Sequence, residues 1–170
     1  GVVLLHGKLP LGPRARRLPH ALPQRRVAHQ PVEACAQLGD IPAEASLGFL
    51  YVTDHLAGDL PAILNFFKEQ TDIVNWVGSV GVGVCATAQE YNDQPALSLM
   101  IADFPIDSFR VFPAIKSDIS EFAGHGDWCE QADARFAVVH GDPRNPKTPA
   151  FIAELAEALI YRRNERWAGQ

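Results

Sequence analysis

Two stretches rich in valine, leucine and isoleucine stand in the middle of the chain, with a polar segment between them. The first begins at Asn75 and reads NWVGSVGVGVCA, so that its valines are interrupted by glycines. The polar segment is centred on residues 91–95, and an uninterrupted apolar run follows over residues 96–102. β-Branched residues favour pleated strands, and polar residues next to a proline favour turns. The pattern predicts a glycine-rich β-hairpin at the centre of a sheet.

Apolar residues at three- and four-residue spacing predict an amphipathic helix on each side of this hairpin. The first helix is predicted from Leu56 to Gln70, with Thr53 or Asp54 as its N-cap, and the second from Pro149 to Ile160. Shorter patterns predict a helix and further strands, in this order: a helix at 32–38, and strands at 47–52, 108–115 and 135–139. Helices and strands that alternate in this way predict a mixed α/β domain with helices packed on a mixed sheet.

The first 31 residues differ from the rest of the chain. They hold five prolines and six basic residues, but no acidic and no aromatic residue. Such a composition buries too little apolar surface to offset the entropy lost on ordering. We therefore interpret residues 1–31 as a flexible or divergent extension that is dispensable for folding. Residues 161–170 are also polar, and we expect a domain over residues 32–160 that is incomplete, followed by a divergent tail.

Charge and hydropathy argue against two classes of partner. Residues 31–170 carry nine basic against 20 acidic side chains, a net charge of −11. An acidic body repels phosphate backbones, which argues against nucleic-acid binding. No apolar run approaches the roughly 20 residues of a membrane helix. We therefore expect no membrane insertion and a cytoplasmic location.

The three cysteines, Cys35, Cys85 and Cys129, form no CxxC pair. An odd number of cysteines without such a pair predicts neither a disulfide framework nor a zinc site. Cys85 stands between Val84 and Ala86, and free cysteine is often a small buried apolar residue. We expect Cys85 to be a buried, reduced thiol.

Four segments, taken in order, resemble a known family. They read LGFLYVTDHLAGDLPAILNFFKEQ, WVGSVGVGVCA, PALSLMIADFPIDSFRVF and VVHGDPRNPKTPAFIAELAE. Over about Ala36 to Glu157 the chain resembles the N-terminal domain of the FIST family of prokaryotic sensory proteins. The resemblance implies an intracellular sensory domain of signal transduction that binds a small ligand such as an amino acid. It also implies a signalling protein or a second FIST domain as partner, and it suggests haem as a cofactor, although no residue pattern requires one.

The glycine-rich stretch is the first candidate for ligand binding. Missing side chains open a strand surface to a small molecule, and the candidate residues there are Gly78, Ser79, Gly81 and Gly83. The alternative interpretation is that these glycines let a neighbouring strand or helix pack closely. The stretch lacks the lysine of a P-loop and the glycine spacing of a dinucleotide fingerprint.

The polar loop after the strand at 135–139 is the second candidate. A strand that ends in a polar loop and feeds a helix places the loop at the usual site face of an α/β sheet. The candidate residues there are His140, Asp142, Arg144 and Asn145. Arg144 suits a carboxylate and Asp142 an amine, which predicts an amino acid or a similar small anionic metabolite as ligand. The alternative interpretation of Asp142 and Arg144 is an Asx turn with a surface ion pair.

Two further hypotheses belong to other function classes. A haem sensor would take its axial ligand from His140, His125 or His55. An enzyme would use Cys85 as nucleophile, with His140 and Asp142 as base and orienting residue. No motif places those three residues together, so the sequence predicts a binding module and not an enzyme.

Overall fold

The computed structural model describes residues 2–6, 26–28, 31–86, 89–114, 134–142 and 144–157. The chain forms two compact units, one made of Gly12–Ile106 and the other of Gly1–Leu11 together with Asp107–Gln170. In chain order the elements are β1 (Val2–His6), β2 (Arg26–Ala28), α1 (Pro31–Leu38), β3 (Leu47–Thr53), a 3₁₀-helix (Asp54–Asp59), α2 (Leu60–Thr71), β4 (Asn75–Gly81), β5 (Gly83–Ala86), β6 (Gln89–Asn92), β7 (Leu97–Ala102), β8 (Phe109–Phe112), β9 (Ala134–Val139) and α3 (residues 148–157).

The unit Gly12–Ile106 is built on a mixed sheet with the strand order β2-β7-β3-β4. β3 is parallel to β4 and antiparallel to β7, and β2 is antiparallel to β7. Parallel neighbours need a long connection, and here the 3₁₀-helix and α2 supply it between β3 and β4. The predicted α/β class and mixed sheet are confirmed.

The core of this unit lies between the sheet and the helices α1 and α2. Its buried side chains come from both helices and from the two central strands, and they are Ala34, Leu50, Val52, Ile63, Phe67, Leu97 and Leu99. The Trp76 ring of β4 stacks on Phe67 at a centroid distance of 5.7 Å. Each fully buried valine, leucine, isoleucine or phenylalanine side chain stabilises the fold by about 1.5–3 kcal/mol. The periodicity that predicted α2 therefore reflects a real buried face.

The predicted hairpin is corrected in its pairing. β4 and β7 do not pair with each other, because each pairs with β3, on opposite sides. The hairpin consists of β5 and β6, and Tyr91 and Asn92, predicted as turn residues, lie in β6. β3 is almost wholly buried along its length, so it gains most from a neighbour on both sides and takes the central place.

The start of the first predicted helix is also corrected. The segment begins with the 3₁₀-helix, and the α-helix starts only at Leu60, with Pro61 in its first turn, where the missing N–H is tolerated. Thr53 is not a side-chain cap. Its hydroxyl donates to the carbonyl oxygen of Gln94 at 2.9 Å and accepts from the amide of Ala96 at 3.0 Å. The same residue thus ties β3 to the segment before β7.

The other unit contains a three-stranded antiparallel sheet in the order β8-β1-β9. The strands predicted at 108–115 and 135–139 are confirmed as β8 and β9, and β8 ends before Pro113. The prediction that residues 1–31 form a flexible extension is wrong at two places. Val2–His6 is the middle strand of this sheet, and Arg26–Ala28 pairs with β7 in the unit Gly12–Ile106. The apolar run at Val2–His6 forms a strand because it finds two partners far along the chain.

Some predictions fall outside the described residues, namely those for His125, Cys129 and residues 161–170. In the part of the chain that the structure describes, no helix combines the length and the apolar character required to cross a membrane.

Candidate functional site

Gly78 lies in β4, directly opposite Leu50 of the parallel neighbour β3. Its φ of 156° is a conformation that residues with a side chain rarely adopt. A Cβ at this position would overlap the carbonyl oxygen of Leu50. Close approach of two backbones therefore explains this glycine, as the packing interpretation predicted.

Gly83 and Gly81 differ in the space beside them. A Cβ at Gly83 would overlap the side chain of Asn92 and lie 3.0 Å from the carbonyl oxygen of Tyr91, both on the partner strand β6. At Gly81 the nearest atom is the carbonyl oxygen of Gly83 at 3.1 Å, and the next is the Gly83 nitrogen at 3.9 Å. Gly83 is thus required by the hairpin, whereas a Cβ at Gly81 would contact only the backbone of Gly83.

An imidazole and a carboxylate lie beside Gly81 at the carboxyl end of the parallel strands. Gly81 is in register with Thr53, and Asp54 and His55 follow directly. The His55 Nδ1 lies 3.1 Å from the Asp54 Oδ1, with 42 % and 59 % of the two side chains exposed. The exposed Val82 follows Gly81 on the other strand. His55 is therefore a histidine open to solvent at the start of the 3₁₀-helix.

The loop after β9 is ordered by Asp142. Its Oδ1 accepts from the backbone amide of Arg144 at 2.9 Å and from the Arg144 Nε at 3.1 Å, and its Oδ2 accepts from the Arg144 Nη2 at 3.2 Å. The Thr148 hydroxyl donates to the Asp142 carbonyl oxygen at 2.8 Å. The loop is thus an Asx turn closed by a two-pronged ion pair, which is the alternative interpretation of these two residues.

This ion pair is fixed but open to solvent. The side chains of Arg144 and Asp142 are 89 % and 50 % exposed. The hydrogen bond from the Arg144 side chain lowers the pKa of the Asp142 carboxyl, and the same hydrogen bond raises the pKa of Arg144. Both groups are therefore charged at neutral pH. Asp142 accepts from two of the five guanidinium N–H donors.

Asn145 connects this loop to α3. Its side-chain oxygen accepts from the Lys147 amide at 3.0 Å, and its carbonyl oxygen accepts from the Thr148 amide at 3.0 Å. A Cβ at Gly141 would lie 2.5 Å from the Thr148 Cγ2, so the glycine permits the approach of that side chain. Gly141 and Thr148 were not among the predicted site residues, although a glycine before the aspartate and a hydroxyl at the helix start are the signals that mark them.

A family model for the FIST N domain matches residues 46–163, more than half of the chain. The chain belongs to the FIST N domain family. The resemblance in the four sequence segments is confirmed, and membership is consistent with a sensory domain of a signal-transduction protein. Comparison with curated proteins and with solved structures found no significant match.

The candidate residues of this FIST N domain fall into two groups. Gly78, Ser79, Gly81 and Gly83 belong to the unit Gly12–Ile106, and His140, Asp142, Arg144 and Asn145 to the other unit. The first group lies on β4 and at the start of β5, and the second lies in the loop after β9. Their use by one ligand stays a prediction, and the half-buried His140 adds an imidazole to the second group.

The cysteines of the FIST N domain also depart from the prediction. Cys85 is exposed on β5, opposite Glu90, because the hairpin places only one of its faces against the sheet, where Val84 is buried. Cys35 is half-buried, and burial raises the pKa of its thiol. Within the described ranges, no group of three or more His, Cys, Asp or Glu side chains has an arrangement that could hold a metal ion.

Proposed function

We propose that this FIST N domain is the ligand-binding part of a cytoplasmic sensory protein and that its ligand is an amino acid or a similar small metabolite with a carboxylate. The observation that carries the proposal is the exposed, ordered pair of Asp142 and Arg144 after β9. Signal output would pass to a second FIST domain or to a signalling protein, as the family implies.

The charges of this pair are complementary to those of an amino acid. A guanidinium presents a planar set of donors that suits a carboxylate, and a carboxylate accepts from an ammonium group. Because Asp142 uses two of the five donors of Arg144, other donors are available to the ligand carboxylate. The aspartate repels a ligand that carries only negative charge, so the pair favours a zwitterion over a simple anion.

The order of the loop supports binding as well. The hydrogen bonds of Asp142, Asn145 and Thr148 fix the backbone before any ligand arrives. A loop that is already ordered loses less conformational entropy on binding, which raises affinity. The loop therefore has the preorganisation that a binding site for a small molecule needs.

The geometry supports a binding module better than an enzyme based on Cys85. Both carboxylate oxygens of Asp142 accept hydrogen bonds from Arg144, so the partner observed for this carboxylate is a guanidinium, as a binding site for a charged ligand would use.

A thermal-shift screen followed by calorimetry tests the proposal. The panel contains the common amino acids, small dicarboxylates and haem, and one amino acid should raise the melting temperature, because a ligand at 100 times its Kd adds about 2.7 kcal/mol of stability. Arg144→Gln should abolish this shift. Lys147→Gln is the matched control, since it removes one exposed positive charge from the same loop and should leave binding unchanged.

Two results would count against this assignment. One is a panel in which no amino acid or small acid binds the wild-type domain. The other is an Arg144→Gln variant that binds the same ligand with unchanged affinity. A Soret band after addition of haem would instead favour the haem-sensor alternative.

A further inference from the structure

The turn that carries Asp142 and Arg144 is local, but a second contact ties it to the helix that follows. The Asx turn joins residues only two positions apart. The hydrogen bond from the Thr148 hydroxyl to the Asp142 carbonyl oxygen, at 2.8 Å, spans six positions. It connects the loop after β9 to the first residue of α3. This contact therefore sets where the turn lies relative to the helix, and it is separate from the pairing of Asp142 with Arg144.

α3 is a fixed point for this connection. Leu155, two turns after Thr148 on α3, is only 3 % exposed. The Phe151 amide donates to the Lys147 carbonyl oxygen at 3.0 Å, so the helical hydrogen bonds start at the residue before Thr148. The helix is thus anchored by a buried side chain and is regular from its first turn. A turn tied to such a helix keeps one position.

Gly141 determines where the Thr148 hydroxyl can point. A Cβ at Gly141 would lie 2.5 Å from the Thr148 Cγ2 but 3.7 Å from its Oγ1. Carbon atoms pack at about 3.5–4.0 Å, so the methyl group would overlap the new side chain, whereas the hydroxyl would not. Rotation of Thr148 about χ1 would relieve the overlap, but it would move the hydroxyl away from the Asp142 carbonyl oxygen. The glycine and the threonine are therefore a matched pair.

A fixed turn favours the binding of a small charged ligand. The side chains of Arg144 and Asp142 are 89 % and 50 % exposed, so contacts with the body of the unit do little to hold them. A ligand that contacts this pair together with the half-buried His140 needs a constant separation between them. Holding the turn in place before binding lowers the entropy that the ligand must offset.

We propose that Gly141 and Thr148 are positioning residues of the ligand site: Thr148 holds the Asp142–Arg144 turn against the start of α3, and Gly141 keeps Thr148 in the rotamer that does so. This inference rests on the proposed function, because it assigns two further residues to the same site. Neither residue contacts the ligand, and both act through the backbone of Asp142.

Calorimetry on the whole chain tests the inference. The probe is the member of the panel of common amino acids and small dicarboxylates that gives wild type its largest thermal shift. Thr148→Val keeps the shape of the side chain and removes the hydroxyl, so it should weaken binding by about 3- to 10-fold, the effect of one lost hydrogen bond. Thr148→Ser keeps the hydroxyl and should bind with an affinity close to that of wild type.

The matched pair gives a second and sharper test. Gly141→Ala should weaken binding as Thr148→Val does, because the new Cβ displaces the threonine methyl group and with it the hydroxyl. The double variant Gly141→Ala/Thr148→Ser lacks that methyl group and should recover most of the affinity. Rescue by a second substitution that removes atoms is not expected if the two residues only add to stability.

A control separates positioning from a general loss of stability. The Thr71 hydroxyl also donates to a backbone carbonyl oxygen, that of Phe67 at 2.7 Å, in the unit Gly12–Ile106. Thr71→Val should therefore lower the melting temperature and leave the affinity unchanged. Each affinity is measured well below the melting temperature of its variant, where nearly all of the protein is folded.

The outcomes distinguish this inference from the proposed function. A wild-type chain that binds no member of the panel overturns the proposed function and this inference with it. If wild type binds the probe and Thr148→Val or Gly141→Ala binds it equally well, only the assignment of Gly141 and Thr148 is overturned. That assignment also fails if the double variant binds no better than Gly141→Ala, or if Thr71→Val weakens binding as much as Thr148→Val.

Discussion

Replacing Thr53 by valine removes a hydroxyl that joins the end of β3 to the segment before β7. Thr53 has no exposed surface, and its Oγ1 donates to the Gln94 carbonyl oxygen and accepts from the Ala96 amide. Valine has nearly the same shape as threonine, so the change leaves no cavity. The loss of stability therefore reports on the two hydrogen bonds alone.

The magnitude follows from where the two partners lie. The Ala96 amide is buried, and a buried donor left without its acceptor costs about 1–3 kcal/mol. Gln94 is exposed, so water can replace the lost donor and the cost is about 0.5–1 kcal/mol. Together we expect the free energy of unfolding to fall by about 1.5–4 kcal/mol. For a chain of this size that lowers the melting temperature by roughly 3–16 °C.

Urea denaturation of wild type, Thr53→Val and Thr53→Ser measures this effect. The serine variant keeps the hydroxyl and loses one buried methyl group, which costs about 1 kcal/mol. The expected order of stability is wild type, then serine, then valine. A valine variant as stable as wild type, or more stable than the serine variant, would refute the assignment of these hydrogen bonds.

Three other predictions follow from the fold and the loop. Deleting residues 1–6 should unfold the β8-β1-β9 sheet, because β1 is its middle strand; loss of strand signal in circular dichroism measures this, and an unchanged spectrum would contradict it. Gly78→Ala should lower stability by about 1–3 kcal/mol through backbone strain. The overlap of the new Cβ with the facing strand adds to this loss of stability. The control is Gly58→Ala, where a Cβ meets no atom within 4 Å and stability should hold. Arg144→Gln should raise the pKa of Asp142 towards its ordinary 3.8 in an NMR titration. Since the folded pKa is lowered, the pair stabilises the fold above about pH 3.8, and its contribution is lost as the pH falls through the lowered pKa; an unchanged Asp142 titration would argue against the pair.

The elements that local pattern predicted correctly are those in which pattern and burial coincide. α2 shows its apolar side chains at helical spacing, and Ile63 and Phe67 of that face are buried in the core. β3 is a continuous apolar run, as expected for a strand covered on both faces. These signals lie within one element, so the sequence of that element is enough to predict it.

Pairing partners could not be predicted in the same way. Val2–His6 pairs with residues 109–112 and 134–139, more than a hundred positions away. Nothing in four apolar residues and a histidine before a proline-rich tract indicates those partners, and the composition of the tract favoured disorder. The pairing of β4 with β3, not with β7, is likewise set by the crossover through α2 and not by the glycine-rich stretch itself.

The polar loop was predicted from residue types, and its internal order matches the alternative interpretation of those residues, an Asx turn with a surface ion pair. Asp142 and Arg144 were identified because carboxylates and guanidiniums bind small charged ligands. The Asx turn joins residues only two positions apart, so it could be proposed from residue types. The hydrogen bond from the Thr148 hydroxyl to the Asp142 carbonyl oxygen spans six positions and reaches the start of α3, and residue types did not predict it.

The glycines of β4 and β5 show why function is hard to infer from small residues. A strand glycine has two physical causes that look identical in a sequence, close packing and room for a ligand. Gly78 is explained by the Leu50 backbone and Gly83 by Asn92, so a larger residue at either position disturbs the fold whether or not a ligand exists. At Gly81 a Cβ meets only the Gly83 backbone, and a small shift of that backbone would accommodate it. A substitution at Gly81 is therefore the one of the three in which a change in binding can be separated from a change in folding.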